Sequence, residues 1–408
     1  IAARIRELTK PNFEPLMTVG KAFDMELFVD QKPLGPVKAF WAEESLLWIL
    51  AHPLLGEIIA QAFSQFECSL RKGEFNCFEV LGPKASEVIC KALQPNNENP
   101  SGIINTLISL PAPSILEPGI MITYNAFDPR TTNDSVLELT EAPKEFFNGS
   151  ELFRMKQYEF KSDEQLNRER AKVLFPMSEL PSGSIPVVLI QCPSFESHGF
   201  SAGFLILLPM GTGAVVFRQF TSLGARPYGV DGARAINLEC GNFFFPYDCP
   251  ESPEGLAFIS SELLELEAAD NRRPPGKRVT PSIYPLPQMF RLSINPGEFN
   301  FIRVSIKMTK RGTPSRFATF FEPTQEDFAN AGFVTEIKGE RLQIGMVLEG
   351  NSSLLAGEGR GIGFIETDAF LRIPEYGRSG GKLVLLKEKT SQFFHPALVS
   401  VHYSMCSF

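Results

Sequence analysis

Residues 185–191 read Ile-Pro-Val-Val-Leu-Ile-Gln, an apolar run headed by Pro186. It is short for a core helix and lacks the polar alternation of a half-exposed strand, so it predicts a strand in the middle of a sheet. Phe204–Leu208 and Ala214–Phe220 read as further strands, separated by Pro209–Met210–Gly211. Trp41–Leu50, Phe75–Leu81, Ile120–Tyr124 and residues 299–308, 342–350 and 361–366 carry the same signal. Leu383–Leu386 and Ala397–Tyr403 read as a closing hairpin.

Helical spacing appears in fewer places. Pro53 opens a helix whose apolar face is Leu55, Ile58, Ile59, Ala62, Phe63 and Phe66. Ala85–Leu93 and Glu254–Ala269 read as two more. Residues 1–33 show no clear period, 94–114 read as a loop, and 125–170 as a polar linker or partly disordered segment. An Asp128–Pro129–Arg130 turn follows the strand at 120–124. No solenoid repeat is visible. The expectation is an α+β, multi-domain chain with largely antiparallel sheets.

With 408 residues there is ample length for a real core. The net charge of −8 argues, taken alone, against a nucleic-acid partner, because phosphate binding needs concentrated Lys and Arg. The seven Cys include no C-x-x-C pair and the four His are far apart, so no metal site is expected. Scattered Cys read as a reducing compartment, and no apolar run is long enough to cross a bilayer. The chain starts at Ile1 and not at Met, which reads as an excerpt of something longer.

Three strings resemble chemistry-bearing motifs. Gly199–Phe200–Ser201–Ala202–Gly203 fits G-x-S-x-G, but a nucleophile elbow needs a strand before the Ser and a helix after it. Here a loop precedes and a strand follows, so a loop of small residues is the better reading. Gly357–Gly363 alternates glycine at every second position and runs into Phe364–Ile365. That reads as a glycine turn between antiparallel strands, not a phosphate loop. Gly211–Thr212–Gly213 lacks the third glycine. No catalytic residue is assigned.

Two basic patches stand against the acidic average. Arg272, Arg273, Lys277 and Arg278 surround Pro274, Pro275 and Gly276, and the prolines predict an extended segment. Arg303, Lys307, Lys310, Arg311 and Arg316 occur with no acidic residue from Phe299 to Phe321. Each is either a solvated face or an RNA contact. Arg226, between Gly224 and Gly229, is a third candidate: it either contacts phosphate or pairs internally with Asp231 or Glu239.

From Leu34 onward the chain resembles the large POPLD-containing protein subunit of eukaryotic ribonuclease P and ribonuclease MRP. The early resemblance is carried by Leu34–Gly35–Pro36–Val37 with Trp41, by His52–Pro53, and by Leu81–Gly82–Pro83 within Phe78–Leu93. It is strongest in IPVVLIQ (185–191), GFLILLPMG (203–211), GARPYG (224–229), FPYDCP (245–250) and RRPPGKR (272–278). Arg311–Gly312–Thr313–Pro314 and Gly359–Phe364 extend it. The family's GW signatures stand here as Gly203–Phe204 and Met210–Gly211, and its long basic N-terminal region is missing.

The resemblance implies a division into a remnant of the N-terminal region (1–33), a central α+β domain (34–180), the POPLD domain (181–285) and a β-rich C-terminal domain (286–408). It implies that part of the fold is related to folate-dependent aminomethyltransferases. It also implies a scaffold, not a catalyst, in a nuclear and nucleolar ribonucleoprotein that removes 5′ leaders from precursor tRNA and cleaves precursor rRNA. Its partners would be ribonuclease P RNA or MRP RNA, other protein subunits and, indirectly, precursor tRNA, with no membrane. Metal ions would sit on the RNA and no cofactor on the protein. The RNA contacts expected are Arg226, Arg272, Arg273, Lys277, Arg278, Lys310, Arg311 and Arg316. The alternative is an enzyme of aminomethyltransferase-like or hydrolase-like fold, which would show a pocket of converging titratable groups.

Overall fold

The computed structural model describes residues 1–9, 18–29, 32–96, 107, 109–131, 146–172, 184–193, 200–278, 301–310, 312–330, 340–377, 381–388, 391 and 393–402. The chain divides into two compact units, the first Ile1–Glu7, Pro11–Asp24 and Lys38–Tyr228, the second Leu8–Lys10, Met25–Val37 and Gly229–Phe408. A three-stranded sheet runs in the order β1 (Ala22–Val29), β2 (Lys32–Glu43), β3 (Leu46–Ala51). The expected single strand at 41–50 is therefore a hairpin turning at Glu44–Ser45. β1 lies in the stretch read as unpatterned, because both its faces are largely buried and no alternation survives.

The first unit is built on an antiparallel sheet in the order β4 (Phe75–Leu81), β7 (Gly203–Pro209), β6 (Ser184–Cys192), β5 (Met121–Phe127). One face packs Phe78, Phe204, Ile206, Val187, Leu189 and Tyr124 against helices α3 (Ala85–Ala92) and α6 (Gly213–Ser222). The other packs Phe75, Leu205, Leu207, Val188 and Ile190 against Phe40, Trp48 and helix α4 (Ser150–Gln157). Cover on both faces is what the unbroken apolar run in β6 requires. At Pro186 the strand pairs only with β5, since its ladder to β7 starts at Val188, so the missing N–H is tolerated.

Two sequence expectations are corrected here. Residues 213–222 form helix α6, not a strand: Val216 and Phe220 are buried one helical turn apart. The polar stretch 125–170 holds α4 and a further helix, α5 (Asp163–Lys172), while residues 132–145 lie outside the described residues. α5 buries little besides Leu166, so its amphipathic signal is nearly absent. The expected boundary at 180/181 runs through one continuous sheet, because β4 and β5 pair with β7 and β6.

The second unit is a seven-stranded antiparallel sheet. Its order is β12 (Glu375–Tyr376), β13 (Gly381–Lys387), β14 (His395–Val401), β8 (Phe301–Met308), β11 (Glu358–Glu366), β10 (Gln343–Ser353), β9 (Thr319–Phe321). β9 also pairs with β13, closing six of the strands into a barrel and removing their edges. Val304, Ile306, Phe320, Val347, Val384 and Val399 pack into its core. The hairpin expected at 383–403 is present as β13–β14, with Tyr403 outside the described residues. Of the alternating glycines, Gly357 lies in the turn before β11, and Gly359, Gly361 and Gly363 fall on β11. A Cβ at Gly359 would stand 2.1 Å from the Gly312 carbonyl oxygen, and one at Gly350 would stand 2.1 Å from that of Pro314. They let residues 312–314 cross directly over the hairpin.

Candidate nucleic-acid interface

Helix α8 (Pro253–Asn271) starts at a clear cap: Ser252 Oγ accepts from the Gly255 N–H at 3.0 Å, and Pro253 takes the first helical position. It buries Gly255, Ile259, Leu263 and Asp270, then delivers Arg272, Arg273, Lys277 and Arg278 to the surface. Only Arg273 makes an ion pair among the described residues, with Asp270 at 3.2 Å. The segment is not extended as expected. Pro274 is extended (φ −54°, ψ 144°), but Pro275–Lys277 makes a 3₁₀ turn, and Arg278 Nε donates to the Arg273 carbonyl at 2.9 Å. A proline φ near −65° suits both conformations. The four cations therefore cluster around one turn.

Arg226 lies in the loop after α6. Gly224 takes φ +91°, open to glycine and costly for other residues. Tyr228 Oη donates to Glu79 Oε2 at 2.9 Å and ties the loop to strand β4. Arg226 itself is exposed and has no ion pair among the described residues. Glu239, one partner considered for it, instead accepts from Ser353 Oγ and the Leu355 N–H. Arg218, on the exposed side of α6, is a cation the sequence reading missed because 214–220 read as a strand.

The second basic patch dissolves into the second unit. Arg303 pairs with Glu26 at 2.7 Å and with Glu251, and Lys307 pairs with Glu358 at 2.7 Å. Arg316, expected as an RNA contact, has a side chain that is 17% exposed and donors engaged inside the protein. Nε and Nη2 grip Glu262, while Nη1 reaches Glu349 and the Leu348 carbonyl, each at 2.7 Å. Leu348 sits at a register shift between β10 and β11. Burial alone would depress Arg316, but Glu262, Glu349 and Asp248 outweigh it and hold the guanidinium above its usual range. Lys310 is exposed, and Arg311 lies outside the described residues.

Asp248, in the FPYDCP string, is the uncompensated member of this network. Arg316 and Arg234 stand 3.6 and 3.8 Å from it, yet burial and the nearby Glu349 push its carboxyl up to about 6. His402 donates to or accepts from Ser305 Oγ through Nδ1 at 2.7 Å and packs edge-on against Phe243. Burial, with Arg303 adding to it, lowers it to about 4.

The nearest approach to an enzyme-like constellation is in the first unit. Lys38 pairs with Asp24, and Glu79, which accepts from Tyr228 Oη, lies near Cys77 and Cys192. Burial pushes Cys77 up to about 12 and Cys192 up to about 11, so both stay thiols and neither is an activated nucleophile. Ser201 sits in the turn leading into β7, with no helix directly after it, so the elbow geometry of G-x-S-x-G is not formed.

Residues 203–293 match the family model of the POPLD (NUC188) domain, and residues 334–403 match that of the POP1 C-terminal domain. The human "Ribonucleases P/MRP protein subunit POP1" is 33% identical over 125 residues, 29% of this chain and 12% of that protein. Its counterpart from Arabidopsis thaliana is 24% identical over 271 residues, 54% of this chain and 32% of that protein. The chain thus spans no more than about a third of the curated relatives it matches. Among solved structures, the crystal structure of the glycine cleavage system aminomethyltransferase T from Bartonella henselae is similar at 14% identity and a TM-score of 0.45. The match covers 95% of this chain and 76% of that one.

Proposed function

Because the chain belongs to the POPLD-containing family of ribonuclease P and MRP protein subunits, we propose that it is a scaffold subunit that grips the RNA of that ribonucleoprotein. In this reading it braces the RNA by its phosphates, docks smaller protein subunits, and works in the nucleus and nucleolus. The assembled particle removes 5′ leaders from precursor tRNA and cleaves precursor rRNA, with the RNA and its bound metal ions supplying the chemistry.

The observation that carries this reading is the turn at the end of α8. In a chain of net charge −8, four exposed cations fall within seven residues, and one carboxylate offsets them. Exposed guanidinium and ammonium groups around a fixed turn suit phosphate oxygens, which they bind without reading sequence. Lys310 and Arg226 would add phosphate contacts of the same kind. The test is ultraviolet crosslinking of the chain within the purified ribonucleoprotein, followed by peptide mapping. Crosslinks at Arg272–Arg278 are expected; a particle whose RNA crosslinks elsewhere on the chain and never there would overturn the assignment.

A further inference from the structure

A cavity of about 350 Å³ opens in the first unit between the turn after β5, the first half of α5 and the exposed side of α6. That is within the range of small-molecule sites, at its lower end. Its back wall is Arg130, an unusually fixed cation. Asp128 takes Nε and Nη2 at 3.0 and 2.7 Å, and the guanidinium lies 4.4 Å from the Phe160 ring centroid. Nη1 is held by the Lys161 carbonyl and by Asp163, both at 2.8 Å. This Arg has little conformational freedom left to lose on binding a ligand.

The facing wall supplies what Arg130 lacks. Arg218 on α6 is exposed, and its guanidinium makes no hydrogen bond or ion pair among the described residues. Asn167 and Gln219 line the same cavity, and a carboxamide can both donate and accept. Leu166 and Val215 give it an apolar lining. Two carboxylates oppose an anion here, Asp128, which is buried against Arg130, and Asp163. The Asp163 side chain is 69% exposed, so its pair with Arg130 is worth little and a phosphate could compete for the same Nη1.

We propose that this cavity binds a single phosphorylated nucleotide, with its phosphate between Arg218 and Arg130 and its base edge on Asn167 and Gln219. Two guanidiniums suit a phosphate dianion, carboxamides suit the donor–acceptor edge of a base, and the apolar lining suits its flat face. As an unstacked nucleotide of a bound strand, the ligand would give the scaffold one base-reading contact beside its phosphate contacts. In that form the inference rests on the RNA-binding reading; a free mononucleotide would satisfy the same chemistry.

The probes are adenosine 5′-monophosphate, adenosine, inorganic phosphate and a short single-stranded RNA, titrated calorimetrically into the purified chain. Adenosine monophosphate is expected to bind more tightly than either of its parts. Arg218→Ala should weaken it about tenfold or more, the worth of a charge-assisted hydrogen bond, and Asp163→Asn should strengthen it. Both positions are exposed, so neither variant threatens folding. An RNA that loses affinity in Arg218→Ala identifies the ligand as part of a strand. RNA affinity that is unchanged while mononucleotide binding falls identifies a free nucleotide. No mononucleotide binding, or binding indifferent to Arg218, overturns the cavity assignment while leaving RNA binding at Arg272–Arg278 intact. A chain that binds the mononucleotide through Arg218 but no RNA overturns the scaffold reading and not this one.

Discussion

Arg316 donates two parallel hydrogen bonds to Glu262, Nε to Oε1 at 3.0 Å and Nη2 to Oε2 at 2.5 Å, joining the segment before β9 to the middle of helix α8. The next residue, Phe317, holds φ at 62°, a region costly for an aromatic side chain. Removing the guanidinium would leave Glu262, Glu349 and Asp248 with too little positive charge. Arg316→Ala should therefore lose about 3–5 kcal/mol of stability in urea unfolding, the cost of breaking a buried pair from one side. Arg316→Lys should recover only part of it, because the fork is lost.

Asp248 gives a pH signature. Its folded-state carboxyl titrates at about 6 against an ordinary 3.8, so it favours the folded state at low pH, and that contribution is lost as pH rises through this window. Asp248→Asn should flatten that loss and leave the chain more stable than wild type at about pH 8. His402 runs in the opposite sense. Lowered to about 4, it contributes stability above its ordinary 6.5 that is lost as pH falls towards 4. Only the difference between variant and wild-type melting curves isolates Asp248. Equal curves, or a uniformly less stable variant, would reject the account.

The cations after α8 should dominate the salt response of RNA binding. Changing Arg272, Arg273, Lys277 and Arg278 to Ala should lower the slope of log affinity against log salt by about three, at roughly 0.7–0.9 per phosphate. An unchanged slope with loss of a protein partner would instead assign the turn to protein docking.

Arg226→Ala should weaken RNA binding while leaving the melting temperature unchanged, since the side chain is exposed and unpaired among the described residues. Tyr228→Phe unties the loop from Glu79 and should cause a smaller loss by raising the ordering entropy of Arg226. A lowered melting temperature with unaltered affinity for Arg226→Ala would make it a structural residue.

Two glycines give a matched contrast. Gly359→Ala puts a methyl group against the Gly312 backbone and should cost more than about 1–3 kcal/mol, the usual range for overpacking. Gly276→Ala meets nothing within 4 Å and should be nearly neutral. Thermal melts of the two variants decide it.

Strands buried on both faces were legible because they leave unbroken apolar runs, as in β6 and β7. Helix α6 was not: Val215, Val216 and Phe217 suit a strand by composition, and only the spacing of Val216 and Phe220 betrays a helix. The fate of the patch at 303–316 could not be read locally. Its neutralising carboxylates, Glu26, Glu251, Glu262, Glu349 and Glu358, all lie outside the acid-free window and reach it only through the fold. The patch at 272–278 stayed legible because its one acidic partner, Asp270, is also its neighbour in sequence.

Helix α8 has 19 residues and, at about 1.5 Å each, is about 28 Å long. It is a lever with the Ser252 cap as its pivot and the cationic turn at its far end. A tilt of about 10° at the pivot would swing that end by roughly 5 Å, more than the length of a hydrogen bond. Glu262 is near mid-length, so the fork from Arg316 acts as a stay against that swing. With that stay loosened, the chain would keep all four cations and no longer hold them in one place.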